Sequence, residues 1–126
     1  GKDTYISGGF VEKEMMFYKQ KEAMIEKRKI KFNEKQMEAF KEIIQLLKSK
    51  NIEIILVFAP ITDTYYSTYT NIKHFNSIMD NYNYSTYFNY NKIMSLNDSL
   101  HFYDSNHLNQ KGVEKFNSKL IQALEQ

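Results

Sequence analysis

The 126-residue chain contains no cysteine and no tryptophan, only one proline and only four glycines. The lack of cysteine excludes disulfide bonds and thiolate metal ligands, and it leaves the redox compartment open. No apolar run approaches the roughly 20 residues that a membrane-spanning helix needs, and no signal peptide is visible. The net charge of +2 is too small to indicate a nucleic acid or a membrane surface as a partner.

What the chain does contain is typical of a soluble globular protein: 42% hydrophobic and 25% charged residues. Its length predicts a single α/β domain over residues 1–126, or the C-terminal portion of a larger one. Residues 1–14 are predicted to be an irregular lead-in, with Ser7-Gly8-Gly9 as a turn. The frequent use of Tyr, Asn, Lys and Ile is best explained by a coding bias.

Residues 12–31 carry loosely spaced apolar side chains among good helix formers, which favours a helix that breaks near residues 29–31. The basic run Lys27-Arg28-Lys29, with Lys31, offers cations to a phosphate. Because glutamates lie nearby on the same predicted helix, a solvated helix face is the better interpretation.

The clearest helix of the chain begins at Asn33, where Gln36 completes a capping-box pattern. Its apolar stripe is formed by Met37, Phe40, Ile43, Ile44 and Leu47. Residues 52–59 follow as a near-continuous apolar run, which predicts a strand buried on both faces of a parallel sheet. Helix, short link and buried strand together predict half of a βαβ crossover unit.

Pro60 ends this strand, and ligands of open α/β sheets bind beyond the carboxyl ends of the strands. The tyrosine-rich residues 61–70 are therefore a candidate substrate-side loop, although an exposed loop shaped by composition is also consistent with them. A short helix is predicted over residues 71–82 and a second strand over 84–90, followed by a loop at 91–99.

Two residues with acid–base chemistry lie near the C-terminus, where Asp104 precedes His107 by three positions. Histidine has an ordinary pKa near neutral pH, as a general base needs, and an acceptor such as Asp104 can hold its ring in one tautomer. Asn109 is the predicted N-cap of a closing helix that clamps this pair onto the sheet. Gly112, in the first turn, lets that helix approach a neighbouring segment closely.

Three other interpretations of this pair remain. Asp104 can simply cap a turn, as aspartate often does, and His107 can be a packed histidine beside the helix start. A metal site is the third, because His101, Asp104 and His107 recur at intervals of three. The looped character of residues 98–107 and the lack of an obvious fourth ligand disfavour the metal site.

The block Asp104-Ser105-Asn106-His107-Leu108-Asn109, followed by Gly112 and an amphipathic helix, resembles the last conserved block of the SGNH (GDSL-type) hydrolase superfamily. The resemblance covers roughly residues 36–126, and only the last quarter is specific. It implies a three-layer αβα, flavodoxin-like parallel sheet that is incomplete in this chain. It also implies that Asp104 and His107 belong to a Ser-His-Asp triad, and that the protein is exported or associated with the cell envelope.

The family's Gly-Asp-Ser block and its oxyanion blocks are not present in this sequence. The resemblance therefore implies an upstream nucleophile and a chain that is inactive alone. It implies an esterase, carbohydrate deacetylase or acyltransferase that acts on an acylated small molecule or glycan, with no cofactor or metal. The alternative is a non-catalytic α/β module of the same fold that binds glycans or a partner through its aromatic loops. Uncovered sheet edges predict self-association or pairing with the missing part.

Overall fold

A computed structural model of the chain describes residues 3–7, 10–19, 26–82 and 85–125. These residues form four strands: β1 (Thr4–Ile6), β2 (Phe10–Glu12), β3 (Ile54–Phe58) and β4 (Ser85–Asn89). They also form six helices: α1 (Glu34–Ser49), α2 (Asp63–Tyr66), α3 (Ile72–Asp80), α4 (Tyr90–Ile93), α5 (Asp98–His101) and α6 (Gln110–Leu124). None of the helices within these ranges combines the length and apolar character needed to cross a bilayer.

The strands form two separate two-stranded sheets. β3 pairs with β4 in parallel, in a register that runs from Ile54 opposite Ser85 to Phe58 opposite Asn89. The predicted mixed α/β class and both predicted parallel strands are therefore confirmed. The prediction that β3 is covered on both faces is not met within the described residues, because Val57 remains 40% exposed.

The N-terminal residues differ from the predicted irregular lead-in. β1 and β2 form an antiparallel hairpin, with Thr4 opposite Glu12 and Ile6 opposite Phe10. Strands of only three residues carry too little periodicity to be recognised in a sequence. The turn predicted at Ser7-Gly8-Gly9 lies mostly outside the described residues.

The helices predicted from capping and apolar periodicity are confirmed. Asn33 caps α1, since its Oδ1 accepts a hydrogen bond from the Gln36 amide at 3.2 Å. The helix predicted over residues 71–82 is α3. The predicted loop at 91–99 differs, because α4 lies at its start and α5 at its end.

The helix predicted over residues 12–31 is not formed in the parts of this range that the structure describes. Residues 13–19 form neither helix nor strand, and the Tyr18 amide donates to the Phe102 carbonyl at 2.9 Å. Further along, the Arg28 amide donates to the Thr68 carbonyl, also at 2.9 Å. Backbone bonds to distant segments replace those of a helix, so tertiary contacts override the intrinsic propensity. The predicted apolar positions Met24 and Ile25 lie outside the described residues.

The most buried aromatic side chains of the described core follow β4 and α5 directly in the chain. Tyr90 and Phe102 are each 1% exposed. The Tyr90 ring meets the Phe116 ring of α6 edge-on, with centroids 5.1 Å apart. Because Tyr90 directly follows β4, this contact fixes α6 against the carboxyl end of the sheet, and with it the loop that precedes α6.

Candidate active site

The segment between α5 and α6 is a closed loop. Phe102 and Leu108 pair as an antiparallel bridge, and the Tyr103 amide donates to the His107 carbonyl at 2.8 Å. These contacts join the two ends of the loop, so residues 103–107 have little freedom to open. We call residues 102–108 the site loop.

Thr62 anchors the site loop to the end of β3. Its side chain is fully buried, and its amide and Oγ1 both donate to the Ser105 carbonyl, at 3.1 and 2.8 Å. Thr62 follows Pro60, so the anchor lies at the carboxyl end of a parallel strand, where α/β folds place their ligands. Sequence reasoning missed this role, because a threonine after Pro60 carries no signal of its distant partner.

Asn109 connects three parts of the molecule. As predicted, it caps α6, with its Oδ1 accepting from the Gly112 amide at 3.1 Å. Its Nδ2 also donates to the carbonyls of Met16 and Leu100, both at 3.0 Å, and of Phe102 at 3.4 Å. Asn109 is 4% exposed, so its amide group forms these bonds largely shielded from water. The cap was predictable from the sequence, whereas the three donated bonds were not.

Gly112 allows the close approach of α6 to a neighbouring segment, as predicted. A Cβ atom at this residue would press directly against the His101 carbonyl oxygen and would lie 2.9 Å from Leu108 Cδ2. Only a residue without a side chain therefore lets the first turn of α6 pack against the segment that precedes the site loop.

Asp104 and His107 are brought together within the site loop. The Nδ1 atom of His107 lies 2.9 Å from Oδ1 and 2.8 Å from Oδ2 of Asp104. Oδ1 also accepts from the backbone amides of Asn106 at 2.9 Å and of His107 at 2.8 Å. Asp104 thus caps its own turn and contacts the imidazole at once, so the turn and acid–base interpretations are compatible. His107 is not packed beside the helix start, because its side chain is 68% exposed.

The local electrostatics favour an ionised Asp104. Partial burial by itself raises the pKa of this carboxyl group, but the hydrogen bond from the Asn106 amide and the neighbouring His107 ring outweigh it. The net result is a pKa below the ordinary value. A carboxylate accepts from Nδ1–H and leaves the lone pair on Nε2, where no described residue forms a hydrogen bond. This arrangement can take up a proton from a reacting group.

His101 has the opposite arrangement, because its Nδ1 accepts a hydrogen bond from the Asn97 amide at 2.8 Å. Burial lowers the pKa of His101, as do the charges of Lys115 and Lys111. Across the described ranges, no three His, Asp or Glu side chains are grouped as metal ligands. The geometry therefore does not support the metal interpretation of His101, Asp104 and His107.

The two histidines are expected to show opposite tautomers in long-range ¹⁵N–¹H spectra of this chain at neutral pH. His107 should carry its proton on Nδ1, because Asp104 accepts it, and His101 should carry its proton on Nε2. In an Asp104→Ala variant, His107 should lose this preference while the His101 signals stay unchanged. An Nε2–H tautomer of His107 in the wild-type chain would contradict the assigned pair.

The tyrosine side chains of residues 61–70 contact other residues of the chain. The Tyr65 hydroxyl accepts from Arg28 Nη1 at 2.6 Å, and the guanidinium lies 4.6 Å from the Tyr65 ring centroid. Tyr69 meets Tyr65 edge-on, and the Tyr66 hydroxyl accepts from Asn89 at 3.0 Å. Arg28 therefore has an aromatic partner while it remains exposed to solvent, as the sequence favours.

Asp98, to which the sequence assigns no role, holds the start of α2. Its carboxylate accepts from the amides of Asp63 at 2.8 Å and Thr64 at 3.1 Å. Burial, followed by the charge of Asp98, raises the pKa of Asp63. Asp98 thus fixes the residues next to Thr62, the anchor of the site loop.

Comparison of the chain with protein-family models, with curated proteins and with solved structures finds no significant match. The candidate site therefore depends on the resemblance of residues 104–112 and on the geometry of the site loop. Nothing in that geometry supplies a nucleophile, because no described hydroxyl group forms a hydrogen bond with the His107 ring. Ser105, the nearest serine in sequence, donates instead to the Asn106 side chain at 3.2 Å.

Proposed function

We propose that this chain is the C-terminal part of an SGNH-type serine esterase, carbohydrate deacetylase or acyltransferase. His107 is the general base of the triad, and Asp104 orients its ring. The observation that carries the proposal is the contact of His107 Nδ1 with both Asp104 carboxylate oxygens at 2.8–2.9 Å, with the imidazole largely exposed. An oriented, accessible imidazole with an acceptor on one nitrogen is the arrangement that activates a serine.

The proposed reaction proceeds through an acyl-enzyme. The serine oxygen attacks the acyl carbonyl carbon while His107 Nε2 takes the hydroxyl proton, and Asp104 stabilises the resulting imidazolium. The tetrahedral intermediate then expels the alcohol or amine, which receives that proton from Nε2. Water in a hydrolase, or an acceptor hydroxyl in a transferase, then attacks the acyl carbonyl carbon and gives its proton to Nε2. The bond between the acyl group and the serine oxygen breaks, and that oxygen takes the proton back from Nε2. Asp104 stays ionised throughout.

The proposal locates the nucleophile in a part of the polypeptide outside this chain. It extends the two-stranded sheet to a three-layer αβα, flavodoxin-like arrangement. β3 pairs with β4 along one of its edges. Apolar side chains are exposed on α1 and α6, where further helices or strands can pack; these are Ile43, Leu46, Ile121 and Leu124. We propose that the upstream part covers these surfaces, and that the chain alone self-associates. An exported or envelope location is proposed from the resemblance only.

Fluorophosphonate labelling of the longest native polypeptide that contains this chain tests the function. Such a probe reacts with an activated serine, so no substrate has to be known. We expect one labelled serine outside this chain, and no labelling of this chain alone or of the heat-denatured polypeptide. A well-folded polypeptide that is not labelled would refute the proposed function. Labelling at Ser105 would refute the proposed location of the nucleophile.

A non-catalytic binding module is the second candidate. The observation that favours it is the pair of hydrogen bonds that the Asn106 and His107 amides donate to Asp104 Oδ1. A turn cap of this kind needs no catalytic role. This candidate predicts that the native function survives His107→Ala and is lost when Tyr65 is replaced. The serine hydrolase predicts the reverse.

A further inference from the structure

A cavity of about 210 Å³ lies beside His107, which forms part of its wall. The apolar part of the lining comes from three regions of the chain: Val11 of β2, Tyr103 and Leu108 of the site loop, and Val113 of α6. Residues 13–19, which do not form the predicted helix, contact the site loop through Lys13 and Tyr18, and Lys13 and Glu14 complete the lining.

Contacts around the cavity hold its walls in place. Asn109 donates to the Met16 carbonyl at 3.0 Å, and the Tyr18 amide donates to the Phe102 carbonyl at 2.9 Å. The Lys13 ammonium lies 5.1 Å from the centroid of the Tyr103 ring, within cation–π range. The N-terminal segment is thus attached to the site loop at several points, and the cavity is formed without a ligand.

The volume and lining select a small apolar group. A water molecule occupies about 30 Å³ in the liquid, so 210 Å³ has room for about seven non-hydrogen atoms. Drug-sized ligands occupy pockets of about 300–1,000 Å³, and a long acyl chain would extend beyond this cavity. The lining also includes Lys13, Glu14, Asn109 and Gln110, but its surface is mostly apolar. It therefore favours hydrocarbon over a charged group, which would lose its hydration.

We propose that this cavity binds the acyl chain of the substrate, and that the substrates are esters of short acyl groups with about six carbons or fewer. The proposal deepens the proposed function and rests on it. Val113, on the α6 side of the cavity, limits the length of the acyl chain. His107, in the wall, is then next to the carbonyl carbon to which that chain is attached.

The test is a series of p-nitrophenyl esters, from acetate to decanoate, given to the longest native polypeptide. Each methylene that enters the cavity should raise kcat/KM about fourfold, up to about hexanoate, after which kcat/KM falls. Val113→Phe should lower kcat/KM for hexanoate at least about tenfold and leave acetate within about threefold. Val113→Ala should shift the preference to longer esters. Asn117→Phe, at an exposed position of the same helix outside the cavity, should leave the profile unchanged.

The outcomes separate this proposal from the function on which it rests. Ester cleavage with a chain-length profile that neither Val113 variant changes would overturn the acyl cavity and leave the hydrolase standing. A polypeptide that neither reacts with fluorophosphonate nor cleaves esters would overturn the hydrolase. The cavity is then judged by titrating this chain with hexanoate and following the methyl signals of Leu108 and Val113. Saturable shifts that Val113→Phe abolishes support the cavity, and their absence overturns it.

Discussion

Replacing His107 with alanine in the longest native polypeptide is expected to slow fluorophosphonate labelling about 10⁴-fold, because an unassisted serine hydroxyl is a weak nucleophile. The comparison is between second-order rate constants, measured from the time course of labelling at several probe concentrations. The stability of the polypeptide should change little, because the His107 side chain is 68% exposed. Unchanged thermal unfolding with the slowed reaction would separate a catalytic loss from a folding defect.

Asp104→Asn should also slow labelling strongly, by about 10²–10⁴-fold, since the amide no longer stabilises the imidazolium or enforces the Nδ1–H tautomer. The double variant with His107→Ala should be no more than a few-fold slower than His107→Ala alone, because the two residues act as a unit. Asn106→Ala, in the same exposed turn, is the matched control and should label at the wild-type rate. If the double variant were slowed by the product of the two single effects, the two residues would act independently, which would contradict a single catalytic pair.

Asn109→Ala is expected to lower the free energy of unfolding of this chain by about 3–5 kcal/mol, which is a large part of the stability of a small domain. The substitution removes the α6 cap and takes the side-chain donor from the carbonyls of Met16 and Leu100, while the Phe102 carbonyl keeps only the Tyr18 amide. Urea unfolding followed by far-ultraviolet circular dichroism measures the loss.

Two further variants make this result specific. Asn33→Ala removes the cap of α1, which forms a single exposed bond, and should cost only about 1 kcal/mol. Asn109→Ser keeps an acceptor for the Gly112 amide but loses the donated bonds, so its cost should lie between those of the two alanine variants. Equal losses for Asn33→Ala and Asn109→Ala would mean that the donated bonds contribute nothing.

The sequence alone determined the features that depend on neighbouring residues. Capping at Asn33 and Asn109, the helices that follow, and the parallel strands at 54–58 and 85–89 all agree with the patterns of side chains in their own segments. The contact of Asp104 with His107 is equally local, because an aspartate that caps its own turn brings the side chain three residues later within reach.

Only the tertiary structure decided what surrounds this pair. The site loop is anchored by Thr62 to Ser105, 43 residues apart, and the N-terminal segment is attached by Asn109 to Met16, 93 residues apart. Backbone bonds of Tyr18 and Arg28 to distant segments take the place of the predicted helix in the described parts of residues 12–31. A hydrogen bond between residues so far apart forms only when the whole chain has packed, and no local pattern records its partner. The cavity beside His107 exists because those bonds hold its walls together.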